Sequence, residues 1–389
     1  MTPLPRHALA AFAVAALLAG CRGGPGDGGS RQGVVLPTPV TPGVAIVDPG
    51  VDGTVHPRRV EFDPTDDGRL VVMERGGDLQ VWRVGGAGGS RREVVIAASA
   101  IDARFTAGGR AIFVGETSGS VALWTAGGQL LWRRESAGEA VRAVAVRGNL
   151  LAGGTDRGDI HVWRHDGSLA HRRDQAHDGA IISLAFSASG GVLVSEGMDT
   201  LLRGWKVDGA EPSLAPLASY REASDRYRRM LPNLIRWDVQ WGWDRSTAFA
   251  PDADVFAAAT FGGGLQMWRT GGELVAERAD AHDGHHLRAV AFSADGSRIA
   301  SGGLDGTVRV WEVASLGKPP VVLRGHLRSV SSVAFDGAGR VASTSIDDTV
   351  RLWSATGEPI GLLPHHDPPK PPRGSMVPRG PLPPGDLPG

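Results

Sequence analysis

The chain has 389 residues, room for two or three ordinary domains or one large repeat array. Gly (56) and Pro (26) make about a fifth of it, which demands many turns, while 41% apolar residues still suffice for a core. A formal charge of −1 excludes a global basic field for nucleic acid and the character of an acidic polymer, so partners have to be recognised locally.

Residues 1–21 contain Arg6, an apolar run from Ala8 to Ala19, then small residues before Cys21, the only cysteine. A run of 12 apolar residues is too short to cross about 30 Å of hydrocarbon, so the layout predicts a secretory signal peptide over residues 1–20. Leu18-Ala19-Gly20-Cys21 also resembles the lipobox of bacterial lipoproteins. That resemblance implies lipidation at Cys21 and an extracytoplasmic, membrane-anchored protein, in the outer membrane where the host has one, touching the membrane through the lipid only. An ordinary signal peptide with an incidental Cys is the alternative. Residues 21–56 are Gly-rich, then Pro-rich, and read as a flexible tether with a possible edge strand at 44–47.

From there to residue 363 one pattern recurs, an alternating strand that ends in Trp. It places Trp82, Trp124, Trp163, Trp205, Trp268, Trp311 and Trp353 at steps of 42, 39, 42, 63, 43 and 42 residues. Five of the six steps match the period of about 40–45 residues expected of four-stranded propeller blades. The clearest copy, residues 287–311, reads strand, Ala294-Asp295-Gly296 turn, strand, Asp305-Gly306 turn, strand. Residues 321–323 then supply a fourth strand, and residues 360–363 are expected to supply the last strand of the final blade. The expected fold is therefore all-β: a seven-bladed β-propeller of four-stranded antiparallel blades over residues 57–363.

The repeats resemble the WD-repeat β-propeller family. In that family a His before the first strand, a Ser or Thr in the second, an Asp in the next turn and the Trp of the third form a hydrogen-bonded tetrad. By that resemblance the tetrads are His177, Ser195, Asp199, Trp205; His282, Ser301, Asp305, Trp311; and His326, Ser343, Asp347, Trp353. Their role is structural, because a buried carboxylate, hydroxyl and indole N–H each need a partner. Blades 1, 2, 3 and 5 lack the His, and blades 1, 2 and 5 also lack the turn Asp, so looser edges are expected there. No blade carries the Asp that follows the Trp in the family.

The step of 63 residues leaves room for an insertion, assigned to residues 211–244 and placed before blade 5. Residues 214–231 are helix-compatible apart from Pro216, which predicts a short, partly helical segment. The partner-binding candidates lie here: Tyr220, Tyr227, Arg228, Arg229, Trp237, Trp241 and Trp243, residue types enriched in interaction hot spots. Strands reverse direction one after another, so this insertion emerges on the same face as the second turn of every blade. In the family that face commonly binds peptides or proteins. Residues 364–389, with ten Pro in 26, read as a disordered tail.

No G-x-S-x-G, P-loop or H-E-x-x-H motif is present. HDGHH at 282–286 suggests a metal, but the tetrad claims His282, so no metal, cofactor or catalytic residue is assigned. The expected function is a monomeric, non-catalytic scaffold in the cell envelope, binding protein or peptide on the insertion face and no nucleic acid. A propeller enzyme with a central-channel site, or an envelope polysaccharide binder using the insertion aromatics, stands as the alternative.

Overall fold

Short alternating apolar segments separated by glycine-containing turns form antiparallel strands with one face of each sheet against the next. The computed structural model describes residues 57–85, 89–136, 139–199, 201–207, 214–221, 247–251, 253–260 and 263–363, with the backbone alone at 218–221. Within them the strands form seven four-stranded antiparallel sheets, each in up-and-down order. The blades span residues 57–97, 100–135, 141–173, 181–221, 247–278, 287–323 and 330–363. The fold is a seven-bladed β-propeller. Its strands are called a to d in each blade, the a strands packing on one another around the axis. Helix is confined, among the described residues, to one 3-10 turn at Val313–Ser315.

The core is divided among the blade boundaries. Seven separate clusters of buried apolar residues lie one at each junction, such as Ile112 and Val114 of blade 2 against Val71 and Val81 of blade 1. A blade therefore buries its faces only by having two neighbours, and closing the ring supplies the last one. Blade 7 meets blade 1 through Val60, Leu70 and Trp82 against Ala342, Val350 and Leu363. The amide of Gly337 donates to Asp67 at 2.8 Å and the Thr344 hydroxyl donates to the Arg58 carbonyl at 3.3 Å across that seam. Blade 7 is completed by Pro359–Leu363, which pairs with Val350–Trp353.

Two expectations change in blade 4. The sequence of residues 214–231 predicts a partly helical segment, but Ala215–Arg221 is a strand pairing antiparallel with Leu202–Lys206. The open backbone edge of the c strand decides this, because a fourth strand satisfies its N–H and C=O groups and local periodicity is the weaker force. Tyr220 is thus in a strand, and the insertion that begins at 211 is blade 4's own outer strand as far as Arg221. Tyr227, Arg228, Arg229, Trp237, Trp241 and Trp243 lie outside the described residues. So do Cys21, the rest of residues 1–56 and the tail 364–389.

Around the axis the a strands of blades 1 to 3 are tied by charge. Asp102 is 1% exposed. It pairs with Arg59 of blade 1 and with Arg104 Nη1 at 2.7 Å, and its other oxygen accepts the Val144 amide of blade 3 at 2.8 Å. Glu61 lies 3.7 Å from the same Arg104 nitrogen. One carboxylate thus holds three blades in register, and burial removes the water that would otherwise compete for it.

Candidate protein-interaction face

The b–c turns and the d–a connections emerge together on one face, and in blades 4, 6 and 7 a side-chain chain anchors both. Asp347 can only accept, so His326 donates from Nδ1, at 3.2 Å, and its Nε2 accepts from the Ser343 hydroxyl at 2.8 Å. The Trp353 indole N–H donates to that same hydroxyl at 2.9 Å. Blade 6 repeats this with His282, Asp305, Ser301 and Trp311 at 3.0, 2.8 and 2.9 Å. Blade 4 does so with His177, Asp199, Ser195 and Trp205 at 2.9, 2.6 and 2.8 Å. Ser195, Ser301 and Ser343 are fully buried. The Asp also holds the adjoining backbone: Asp347 accepts the Leu327 amide at 2.7 Å and the Thr349 amide at 3.1 Å. Each complete set therefore fixes a b–c turn to the d–a connection beside it.

The blades without a complete set use other links. In blade 1 the Trp82 N–H donates to Gln80 Oε1 at 3.0 Å, and Gln80 Nε2 donates to Glu74. In blade 2 Glu116 accepts from Arg133 at 2.9 Å, while the Trp124 indole N–H has no hydrogen-bond partner among the described residues. Blade 3 joins Ser136 to His161 Nδ1 at 2.7 Å. The looser edges expected of blades 1 and 3 are thus stitched by residues at different registers, which a search for the family spacing passes over. Among the described residues no group of three or more His, Cys, Asp and Glu side chains is arranged to hold a metal ion.

The anchored face presents apolar side chains. Leu327 is 88% exposed and Leu304, in the b–c turn of blade 6, is 41% exposed. The turn and the connection are brought close by Gly306, whose φ of +73° and lack of a side chain let the turn lie against the next connection: a Cβ there would sit 3.1 Å from the carbonyls of both His326 and Arg328.

The carboxylates carry the expected signature of this network. Burial alone would raise Asp347, but the hydrogen bond and charge of His326, the Thr349 hydroxyl and the Leu327 amide outweigh it and hold the carboxyl well below its ordinary 3.8. Asp305 is lowered in the same way, burial being outweighed by His282 and Thr307. Burial pushes the His326 imidazole below its ordinary 6.5, against the hydrogen bond and charge of Asp347. A folded value below the unfolded one means that the unfolded chain binds more protons in that window, so stability rises with pH there and is lost as pH drops. The Asp347 contribution is complete above 3.8 and is lost as pH drops through the folded value; the His326 contribution begins to fade below 6.5. The stability difference between the wild type and Asp347→Asn is therefore expected to be constant above about pH 5 and to shrink below 3.8. Urea titrations at stepped pH read this directly, and a difference that stayed flat down to pH 2 would contradict it.

A family match falls on two of these blades. The model of the WD domain, G-beta repeat, matches residues 276–312 and 317–354, which hold the tetrads of blades 6 and 7. The chain carries WD repeats. Their arrangement is similar to the WD40 beta-propeller domain of Doa1, with a TM-score of 0.61 over 77% of this chain and 92% of that one, at 16% identity, a likeness of fold alone. Among curated proteins, the periodic tryptophan protein 2 homolog of Neurospora crassa is 25% identical over 45% of this chain and 19% of its own length. Ribosome biogenesis protein YTM1 of Chaetomium globosum is 33% identical over 26% of this chain and 22% of its own. The chain thus spans about a fifth of the length of these relatives. The relatives correct the expected location: they include ribosome biogenesis proteins of fungi rather than envelope lipoproteins, which overturns the extracytoplasmic, membrane-anchored placement. Among the described residues no helix is long and apolar enough to cross a membrane.

Proposed function

We propose that the protein is a non-catalytic protein-interaction scaffold that binds a protein or peptide on the face formed by the b–c turns and d–a connections. The observation that carries this reading is Leu327, 88% exposed on a connection whose amide is bonded to Asp347 at 2.7 Å. An exposed apolar side chain on a preorganised loop contributes to binding without the cost of ordering that loop. Leu304, on the neighbouring b–c turn, and the exposed Arg328, next in sequence to Leu327, add an apolar and a charged side chain to the same face. The insertion candidates Tyr227, Arg228, Arg229, Trp237, Trp241 and Trp243 lie outside the described residues and remain part of this proposal as residue types suited to a protein partner. Ribosome biogenesis belongs to the names of the relatives, and the scaffold character is what supports carrying anything over.

Replacing both Leu304 and Leu327 by Asp is expected to weaken partner capture at least tenfold. The fold should stay within about 0.5 kcal/mol of the wild type, because both side chains are exposed. Quantitative crosslinking pull-down with wild type and variant side by side reads the first, and urea denaturation the second. Equal enrichment of the same proteins by both would remove this face from the proposal. A second variant, with residues 222–244 replaced by a Gly-Ser linker, separates the insertion from the Leu patch while leaving the blade 4 outer strand in place.

A further inference from the structure

On the opposite face, where the a strands end, a cavity of about 380 Å³ opens into the channel. That volume lies within the range of small-molecule sites, about 300–1,000 Å³. All seven blades line it, and the lining is sorted by chemistry. Blades 4 to 6 contribute an apolar wall, including Ala185, Ala248 and Ala291, with the half-buried rings of Phe249 and Phe292. At the register of these alanines blades 1 and 2 carry Glu61 and Arg104, which are occupied with each other and with Asp102.

Arg147 of blade 3 breaks the repeat. At its register the other blades use the residue to close their own a–b turn. Asp63 accepts the Thr65 amide at 2.9 Å, Thr106 that of Ala111 at 3.3 Å, Ser187 that of Val192 at 3.1 Å, Ser293 that of Arg298 at 2.9 Å and Asp336 that of Arg340 at 2.7 Å. Blade 5 has Ala250 there. Blade 3 turns tightly through Gly148, at φ +56°, and needs no such cap. Arg147 instead reaches over the blade boundary and donates from Nε to the Ala188 carbonyl at 2.6 Å. Both of its Nη nitrogens are without a hydrogen bond or ion pair among the described residues. A guanidinium held by Nε keeps its two-nitrogen edge for a planar anion.

We infer that this channel mouth binds a monocarboxylate with an apolar body, the carboxylate on Arg147 and the body against the alanine and phenylalanine wall of blades 4 to 6. A divalent anion is disfavoured because Glu61 shares the cavity and Arg104 is already neutralised. Two sources carry this chemistry: a small free acid, or the C-terminus of a chain ending in an apolar residue. The site is on the other face from Leu327 and is independent of the scaffold reading.

The test uses the full chain and four probes: N-acetyl-leucine, its primary amide, and an eight-residue peptide ending in Leu with a free or an amidated terminus. Calorimetric or NMR titration is expected to show at least one carboxylate probe binding tenfold or more tighter than its amide. Arg147→Gln should weaken it at least tenfold, and Ala248→Leu, which fills the cavity, should abolish it. The double Leu304/Leu327→Asp variant should bind as the wild type does. Binding by the small acid alone assigns free acids, and binding by the peptide alone assigns chain termini. No binding by either carboxylate up to 10 mM, equal affinity for acid and amide, or an Arg147→Gln protein that binds unchanged would overturn the inference. Arg147 is exposed, so the Gln variant is expected to fold, and circular dichroism checks it.

Discussion

Replacing Asp102 by Asn is expected to destabilise the propeller by about 3–5 kcal/mol, the usual cost of removing one partner from a buried ion pair. The side chain keeps its shape and can still accept the Val144 amide, so the loss isolates the charge. What remains is two guanidinium groups, Arg59 and Arg104, at 4% and 6% exposure, facing an amide where a carboxylate had been. Urea denaturation followed by tryptophan fluorescence measures the effect through its midpoint. A double variant, Arg59→Met with Asp102→Asn, should recover part of the loss, because it removes one of the two uncompensated guanidinium groups, the Asn oxygen still accepts the Val144 amide and Arg104 keeps Glu61 3.7 Å away. A loss below about 1 kcal/mol for Asp102→Asn would mean that the cluster is solvated in the channel and does not clamp the blades.

Ser343→Ala tests the other buried network. Its hydroxyl accepts from Trp353 at 2.9 Å and donates to His326 at 2.8 Å, and both rings are about 1% exposed in their side chains or as residues. Removing the oxygen leaves two buried polar groups with no partner at that point, each worth about 1–3 kcal/mol, so a total of about 2–6 kcal/mol is expected. Thr356→Ala, at an exposed position of the c–d turn of the same blade, is the control and should fall within about 0.5 kcal/mol. The effect should also reach the binding face, because His326 is what holds Asp347 and Asp347 holds the Leu327 amide. Hydrogen exchange at Leu327 should therefore rise in Ser343→Ala by more than in the control. An unchanged exchange rate would show the connection to be held from elsewhere.

Spacing and side-chain type made much of this architecture legible. Seven Trp at near-constant steps imply seven blades, since a four-stranded sheet with short turns consumes a fixed length of chain and cannot bury both faces without neighbours. The residues of three tetrads could be named because His, Ser, Asp and Trp recur at fixed offsets within one blade, a local relation that a linear chain displays. The helix expected from residue 214 onward failed at Ala215–Arg221 because a strand edge supplied by Leu202–Lys206 outcompetes a periodicity of apolar residues.

What the chain order alone determined is the repeat: where strands alternate, where glycines turn them, and which side chains share a blade. Only the tertiary structure decided what meets across blades. Val60 is 272 residues from Ser332, whose hydroxyl its amide reaches at 3.4 Å. Asp102 is 42 residues from Val144, and Arg147 is 41 from Ala188. The charge clasp of blades 1 to 3 and the sorted cavity both belong to that class. Each exists because closing the ring puts residues from different repeats into a dry space together, where a polar group has to find a partner whatever its distance along the chain.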